Sequence, residues 1–440
     1  MKEFDFEGSN ESKKELVVNL NSEGISIENG FVFNGESFSQ KDVFCCEGVI
    51  KNINDNFCDE VYKIDANGIL VSPGFIDLHV HLREPGFEYK ETIKTGTAAA
   101  VAGGFTTVCS MPNLNPVPDN KKNLKIQQDI IKKDARCRVF PFMSITTNRN
   151  GEKIVLPHEG SIGISDDGDG VQDDNVMARA MMQAKKTNTL ISAHCEDKKL
   201  VDPLGCIHDG IYSQKNGFIG ISSVSEYNQI ERDLKLVKKT GCKYHVCHLS
   251  TKEGIHLVRR AKSDGLPVTC EVTPHHLLLC EDDIKDDGSF KMAPPLRSRN
   301  DKEALIEGLL DGTIDAIATD HAPHTVYEKE KGLLGSAMGI VGLECAFSVL
   351  YTDLVLKNII SLEKLLFLMT FSPAKIIGAK CGVYSGNNAD ITLIDPKKEW
   401  TIKSCNFFSK GKSTPFEGKK VKGKIIYTIV DGKIAYNSPK

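Results

Sequence analysis

The feature that most constrains this 440-residue chain is a recurrence through its middle: a short apolar run, then a stretch with helical spacing, repeated many times. Eight runs read as strands: 75–81, 106–111, 138–146, 162–165, 190–194, 244–249, 268–273 and 316–319. Between them, 174–186, 225–239, 252–262 and 301–310 carry apolar residues near helical periodicity. Ser223 with Glu226 and Asn300 with Glu303 have capping-box spacing at two helix starts. Eight strands alternating with helices predict an α/β chain closed into a (β/α)₈ TIM-type barrel. A doubly wound open sheet is the rival. It usually places a glycine-rich phosphate turn after its first strand, and the first strand here ends in HVHLREPG.

The two ends follow another rule. Short alternating segments at 25–33, 46–53, 391–394, 424–430 and 433–436 are punctuated by Asn29-Gly30, Asn34-Gly35 and Asp431-Gly432. This predicts a small β domain made jointly by 1–72 and 383–440, flanking a barrel at 73–382, with 1–23 as a flexible arm. Composition then removes whole classes of function. The net charge is −4 and charged residues make up 26% of the chain, so no basic surface for nucleic acid or acidic membrane is expected. Lys121-Lys122 and Lys419-Lys420 read as solvated faces. The opening MKEFDFEGSNESKKE lacks a secretory pattern, and no run of about 18 apolar residues predicts a membrane span. The 14 cysteines are scattered, without CxxC spacing. They read as buried thiols of a cytoplasmic protein, not as a disulfide framework.

The chemistry concentrates at strand ends. In His79-Val80-His81 the two imidazoles share one side of a strand and can grip one metal ion. His194 ends ISAHCED, His248 ends HVCHLST and Asp320 follows AIAT. In a barrel such carboxyl ends converge on one mouth. Imidazole with carboxylate suits zinc, with cobalt or manganese as substitutes. Alternation turns His245 and Cys195 away from the ligands. His158, His208 and His256 read as surface or core residues. One of His275 and His276 lines the mouth or serves as a structural hydrogen-bonding group. Arg83, two residues past His81, shares its face if the strand persists, and its planar fork suits a substrate carboxylate; the bland reading pairs it with Glu84. No GxSxG elbow is present for a serine nucleophile.

These residues sit in a longer match. GFIDLHVHLREPGFEYKETIKTGTAAAVAGGFTTVCSMPNLNPVPD, SDDGDGVQ, SAHCED, YHVCHLSTKE, EVTPHHLLL, MAPPLR and DGTIDAIATDHAPH occur in order across about 73–380. The run resembles the bacterial class I dihydroorotases of the amidohydrolase superfamily. The resemblance implies two zinc ions: His79, His81 and Asp320 at the first, His194 and His248 at the second, with Asp167 bridging and Asp166 open as the alternative bridge. A carboxylated lysine, which the superfamily often places at the bridge, is missing here; Lys153 lies too far upstream. This sets the chain apart from hydantoinases and dihydropyrimidinases. Asp320 would also move the catalytic proton. Arg83, Asn113 and His324 would bind substrate, with backbone contacts from Met338 and Gly339. Relatives often carry Asn where this chain has Ala293. The implied reaction is reversible hydrolysis of (S)-dihydroorotate to N-carbamoyl-L-aspartate in pyrimidine synthesis. Allantoinase, another cyclic amidohydrolase, or a non-catalytic scaffold for aspartate transcarbamoylase are the alternatives. A homodimer and a transcarbamoylase complex stay open as partners.

Overall fold

The computed structural model describes residues 24–52, 58 and 60–438; the expected arm at 1–23 lies outside the described residues. Five strands come first: β1 (Gly24–Phe33), β2 (Phe38–Cys46), β3 (Val49–Lys51), β4 (Val61–Asp65) and β5 (Leu70–Pro73). The barrel strands follow as β6 (Phe75–Val80), β7 (Phe105–Ser110), β8 (Arg138–Met143), β9 (Gly163–Ile164) and β10 (Leu190–Ala193). A small pair, β11 (Ile207–His208) and β12 (Gly220–Ile221), interrupts the series before β13 (Tyr244–Val246), β14 (Val268–Val272) and β15 (Ala316–Ile317) complete it. β16 (Ile391–Thr401), β17 (Lys420–Val430) and β18 (Lys433–Asn437) end the chain.

β6 to β10 and β13 to β15 pair in sequence order, each neighbour parallel. The last strand returns to the first: His81 N–H donates to His321 O at 2.8 Å, and Val80 bridges His321 in parallel. The barrel is therefore closed. Its strands are buried on both faces, which is why they read as nearly continuous apolar runs. Asp77 and His79 are the exceptions on β6, and Asp77 is structural. It accepts from His79 N–H, Thr319 N–H and Thr319 Oγ1, and so fastens the first strand to the last.

The chain ends share one sheet, ordered β18-β17-β16-β5-β1-β2-β3, with β4 on β1. β16 lies antiparallel to β5, so the C-terminal strands complete an N-terminal sheet. Asp431-Gly432 turns the β17–β18 hairpin with positive φ at both residues, as its sequence predicts. Three expectations need correction. Asn29-Gly30 makes a bulge within β1, where the register against β2 shifts, and no hairpin. The strand expected at 46–53 is broken by a turn at Glu47-Gly48, both with positive φ; its last residue lies outside the described chain. One disulfide, Cys46–Cys58, forms in this sheet, so not every described cysteine is a thiol. The sheet brings together two cysteines that look unrelated in sequence.

The barrel helices appear where the periodicity places them, with caps shifted. The helix at Asp174–Lys186 has the expected bounds, capped by Asp173. The Ser223–Thr240 helix is capped by Ser222, because Glu226 points inward to the backbone of Ser250 and Thr251 and cannot close a capping box. The Arg299–Leu310 helix takes its capping box from Ser298 and Asp301 instead of Asn300 and Glu303. No helix among the described residues is long and apolar enough to cross a membrane.

Candidate metal centre and substrate pocket

The strands stop short of the residues that matter. The ladders were expected to run through His81, His194 and Leu249 and as far as Thr319; they end at Val80, Ala193, Val246 and Ile317. Beyond those points the carboxyl ends splay. Arg83, His248 and Asp320 adopt positive φ values of 61°, 30° and 48°. Backbone strain of this kind in non-glycine residues costs about 1–3 kcal/mol and persists where its surroundings over-determine it. His245 stays outside the donor sets: its Nε2 meets Glu271 at 3.0 Å, and the backbone N–H of His248 reaches the same carboxylate at 3.3 Å, leaving the His248 ring to face His194.

The six residues expected to bind metal come together, and all are buried. His79 Nε2 lies 3.3 Å from Asp167 Oδ1 and 3.6 Å from Asp320 Oδ1. His81 Nε2 lies 3.1 Å from Asp320 Oδ1 and 3.7 Å from Asp167 Oδ2. His194 Nδ1 and His248 Nε2 are 3.0 Å apart, and each is 3.9 Å from Asp167 Oδ1. Two donor sets, His79–His81–Asp167 and His194–His248–Asp167, thus share one carboxylate. Asp166 is turned elsewhere: it accepts from the N–H groups of Ile145 and Thr146 and from the Thr146 hydroxyl. Lys153 is exposed and Cys195 turns to Tyr244.

Two atoms test whether a cation fits. His79 Nε2 and Asp167 Oδ1 are buried and make no hydrogen bond with the described residues. Each such atom costs about 1–3 kcal/mol when left unsatisfied. A divalent ion bound at about 2.0–2.2 Å satisfies nitrogen and oxygen donors so spaced. The supporting shell has the matching polarity. His79 Nδ1 meets Glu271 Oε1 at 3.0 Å, and Glu271 Oε2 meets His245 Nε2 at 3.0 Å. Against the desolvation of its burial, hydrogen bonds from His245 and His79 lower the Glu271 carboxyl to about 2. An anion at Nδ1 leaves the Nε2 lone pair facing the cluster. Asn113 Oδ1 does the same for His81 at 2.9 Å, while its Nδ2 donates to Asp167 Oδ2 at 3.0 Å.

The cluster floors a cavity of about 370 Å³, with Arg83, Asn113, Ala293, His324, Met338 and Gly339 on its walls. Arg83 does not reach it along the expected strand; a left-handed turn at Arg83 aims it instead. Its Nε donates to Pro323 O at 3.3 Å, and Glu84 accepts from Ile93 N–H; the alternative Arg83–Glu84 pairing does not form. His324 Nε2–H donates to Met338 O at 2.7 Å, and Lys90 Nζ lies 3.2 Å from its Nδ1. Burial, with Arg83, Lys90 and Lys329 nearby, lowers His324 to about 3, which keeps the ring neutral. Gly339 has φ +128°, and a Cβ there would meet Ala322 O at 2.7 Å, so only glycine closes this wall. His276 serves structure, bonded to Thr273 Oγ1 and Pro294 O; His275 is buried outside the pocket lining. His208 is buried on β11 and His256 is exposed.

Sequence reasoning missed Glu271 and Asp77. The available signal was a carboxylate inside an otherwise apolar strand, in TCEV and GFID. Lys329, whose contacts are described below, carries no sequence signal.

Comparison with known proteins agrees with this geometry. Residues 68–254 match the family model described as dihydro-orotase-like. A dihydroorotase of Bacillus cereus (strain AH820) is 49% identical over 418 residues, 93% of this chain and 97% of the relative. Another, from Bacillus cereus (strain AH187), is 50% identical over 402 residues, 90% and 94% of the two chains. Among solved structures, the L-hydantoinase (dihydropyrimidinase) of Arthrobacter aurescens superposes with a TM-score of 0.84 at 24% identity, over 94% of this chain and 96% of its own. The dihydropyrimidinase of Brevibacillus agri NCHU1002 gives 0.81 at 22% identity, over 94% and 95%. Those two likenesses speak for the barrel and its companion sheet alone, whereas identity near one half along almost the whole chain shows more: the protein belongs to the dihydroorotase family of the amidohydrolase superfamily.

Proposed function

We propose that the chain hydrolyses (S)-dihydroorotate to N-carbamoyl-L-aspartate, and runs the reverse, with two zinc ions held by His79, His81, Asp167, His194, His248 and Asp320. The two donor sets sharing Asp167 support two ions, and imidazole with carboxylate supports zinc. Such ions lower the pKa of water toward about 7 and polarise a carbonyl. The remaining work falls to side chains. Asp320 takes the proton of the attacking water and returns it to the ring nitrogen that leaves. Despite the desolvation of its burial, contact with His81 and the neighbouring imidazoles holds its carboxyl well below the usual carboxylate range, so it is ionised. Arg83 takes the ring carboxylate with its planar fork, Asn113 orients it, and His324 holds Met338 and Gly339 over the ring. In this reading 73–382 is the catalytic barrel and 24–72 with 383–440 its supporting sheet.

The observation that carries the substrate is Arg83. It opens into the same cavity as the cluster and has no carboxylate partner among the described residues. Dihydroorotate carries a carboxylate on its ring; hydantoin does not. A scaffold without catalysis would be favoured by missing donors; the convergence of all six side chains supports an enzyme instead. The test is the purified chain with zinc, assayed side by side on dihydroorotate, allantoin and hydantoin. Turnover of dihydroorotate well above the other two is expected; preference for an uncharged ring removes this reading.

A further inference from the structure

Three consecutive backbone carbonyls, two of them on residues that line the pocket, are claimed by two side chains. Lys329 Nζ donates to Ala337 O at 2.8 Å and to Gly339 O at 2.7 Å, while His324 Nε2 takes Met338 O between them. The third proton of the Lys329 ammonium goes to Lys291 O at 3.1 Å, a carbonyl that also accepts from Gly339 N–H at 3.1 Å. One buried ammonium therefore ties the 337–339 segment to the segment that carries Ala293, on the same cavity. Lys329 itself does not line that cavity. Among the described residues it forms no ion pair: every proton is spent on backbone. An ammonium suits this task because it is a compact charge with three freely directed donors. The arrangement is costly, since burial pulls Lys329 down to about 7 and Lys291 repels it, with Asp287 and Glu328 only partly offsetting this.

We propose that Lys329 is a positioning residue for the reaction, its ammonium fixing the Met338–Gly339 backbone in the conformation that receives the substrate ring. The inference rests on the reading that these two residues close over the ring.

The loss should appear in binding. Lys329→Met keeps the length and apolar stem but removes all three donors. KM for dihydroorotate should rise about ten- to a hundredfold, the loss expected for hydrogen bonds from a charged group. The value of kcat, the metal content and the melting temperature should stay near those of the parent. In Lys329→Ala, methylammonium should restore a low KM saturably, and tetramethylammonium, which has no donor, should not. Amide hydrogen exchange at 337–341 should quicken in Lys329→Met and slow again in the alanine variant with methylammonium. An unchanged KM in Lys329→Met overturns the proposal. So does a common fall of kcat, KM quality and melting temperature that methylammonium leaves untouched, or a failure of both variants to fold, because each assigns Lys329 to the scaffold alone. If the parent chain does not turn over dihydroorotate, the functional reading fails instead, and the exchange measurement still decides whether Lys329 orders the segment.

Discussion

On one wall of the pocket, His79 Nε2 and Asp167 Oδ1 are buried without a hydrogen bond; on another, Lys329 and His324 spend their protons on consecutive backbone carbonyls. The first wall is made of side chains on strand ends, supported from behind by Glu271, His245 and Asn113. The second is made of backbone supported by side chains. The contrast separates two uses of burial. Unsatisfied polar atoms clustered with further imidazole and carboxylate donors at a cavity call for a partner that the protein does not supply, whereas fully satisfied ones hold a surface in one shape. A site of this kind needs both, and the two should fail differently.

The largest effect should come from the metal wall. Asp167→Ala removes the carboxylate common to both donor sets. Activity should fall by more than the roughly 10–100-fold that loss of a supporting residue costs, and metal analysis should find substantially less bound zinc than in the parent. A fully active, metal-free parent would remove the distinction between the walls altogether. Glu271→Gln comes next. It keeps shape but withdraws the anion behind His79, so metal affinity or activity should drop about 10–100-fold, read by competition with a chelator.

Arg83→Met probes the ligand side without touching a metal donor. A charge-assisted bidentate contact is worth roughly 1.5–3 kcal/mol, so handling of dihydroorotate should weaken about ten- to a hundredfold at unchanged metal content. Lysine should rescue only in part, because an ammonium cannot form the fork. Intact turnover would place the carboxylate elsewhere.

The smallest expected effect on turnover lies outside both walls and concerns stability. Burial raises the Glu344 carboxyl to about 8, against the lowering influence of the Phe408 and Ser409 N–H groups that it accepts from. Between the ordinary value of 4.5 and about 8 the folded chain keeps a proton that the unfolded chain has lost. The stability this contributes is full below 4.5 and gone once pH has risen through about 8. Glu344→Gln cannot ionise. It should melt above the parent at pH 9, and the gap should close toward pH 5. A constant gap across that range would mean that the carboxyl does not titrate there.

Much of this was legible in the residues. The eight apolar runs gave the barrel because parallel strands covered on both faces must be apolar throughout. His79 and His81 were legible as a pair because side-chain alternation is local. His194, His248 and Asp320 were legible as strand-end residues, and chain order alone placed all of them at the same mouth. Asp167 against Asp166 was not decided locally; Asp166 is withdrawn by Thr146, twenty residues away in sequence and adjacent only through the β8–β9 pairing.

By itself, then, the sequence determined the class of fold, the mouth and the types of donor, since each follows from periodicities a few residues long. Tertiary structure decided the rest. It set the positive φ values that swing Arg83, His248 and Asp320 into place, the Glu271 carboxylate behind His79, the pairing of Cys46 with Cys58, and the three carbonyls around Lys329. The contacts of Glu271 and Lys329 satisfy buried charges with partners from other segments, and the disulfide joins two parts of the terminal sheet's chain; such partners meet only in the folded molecule.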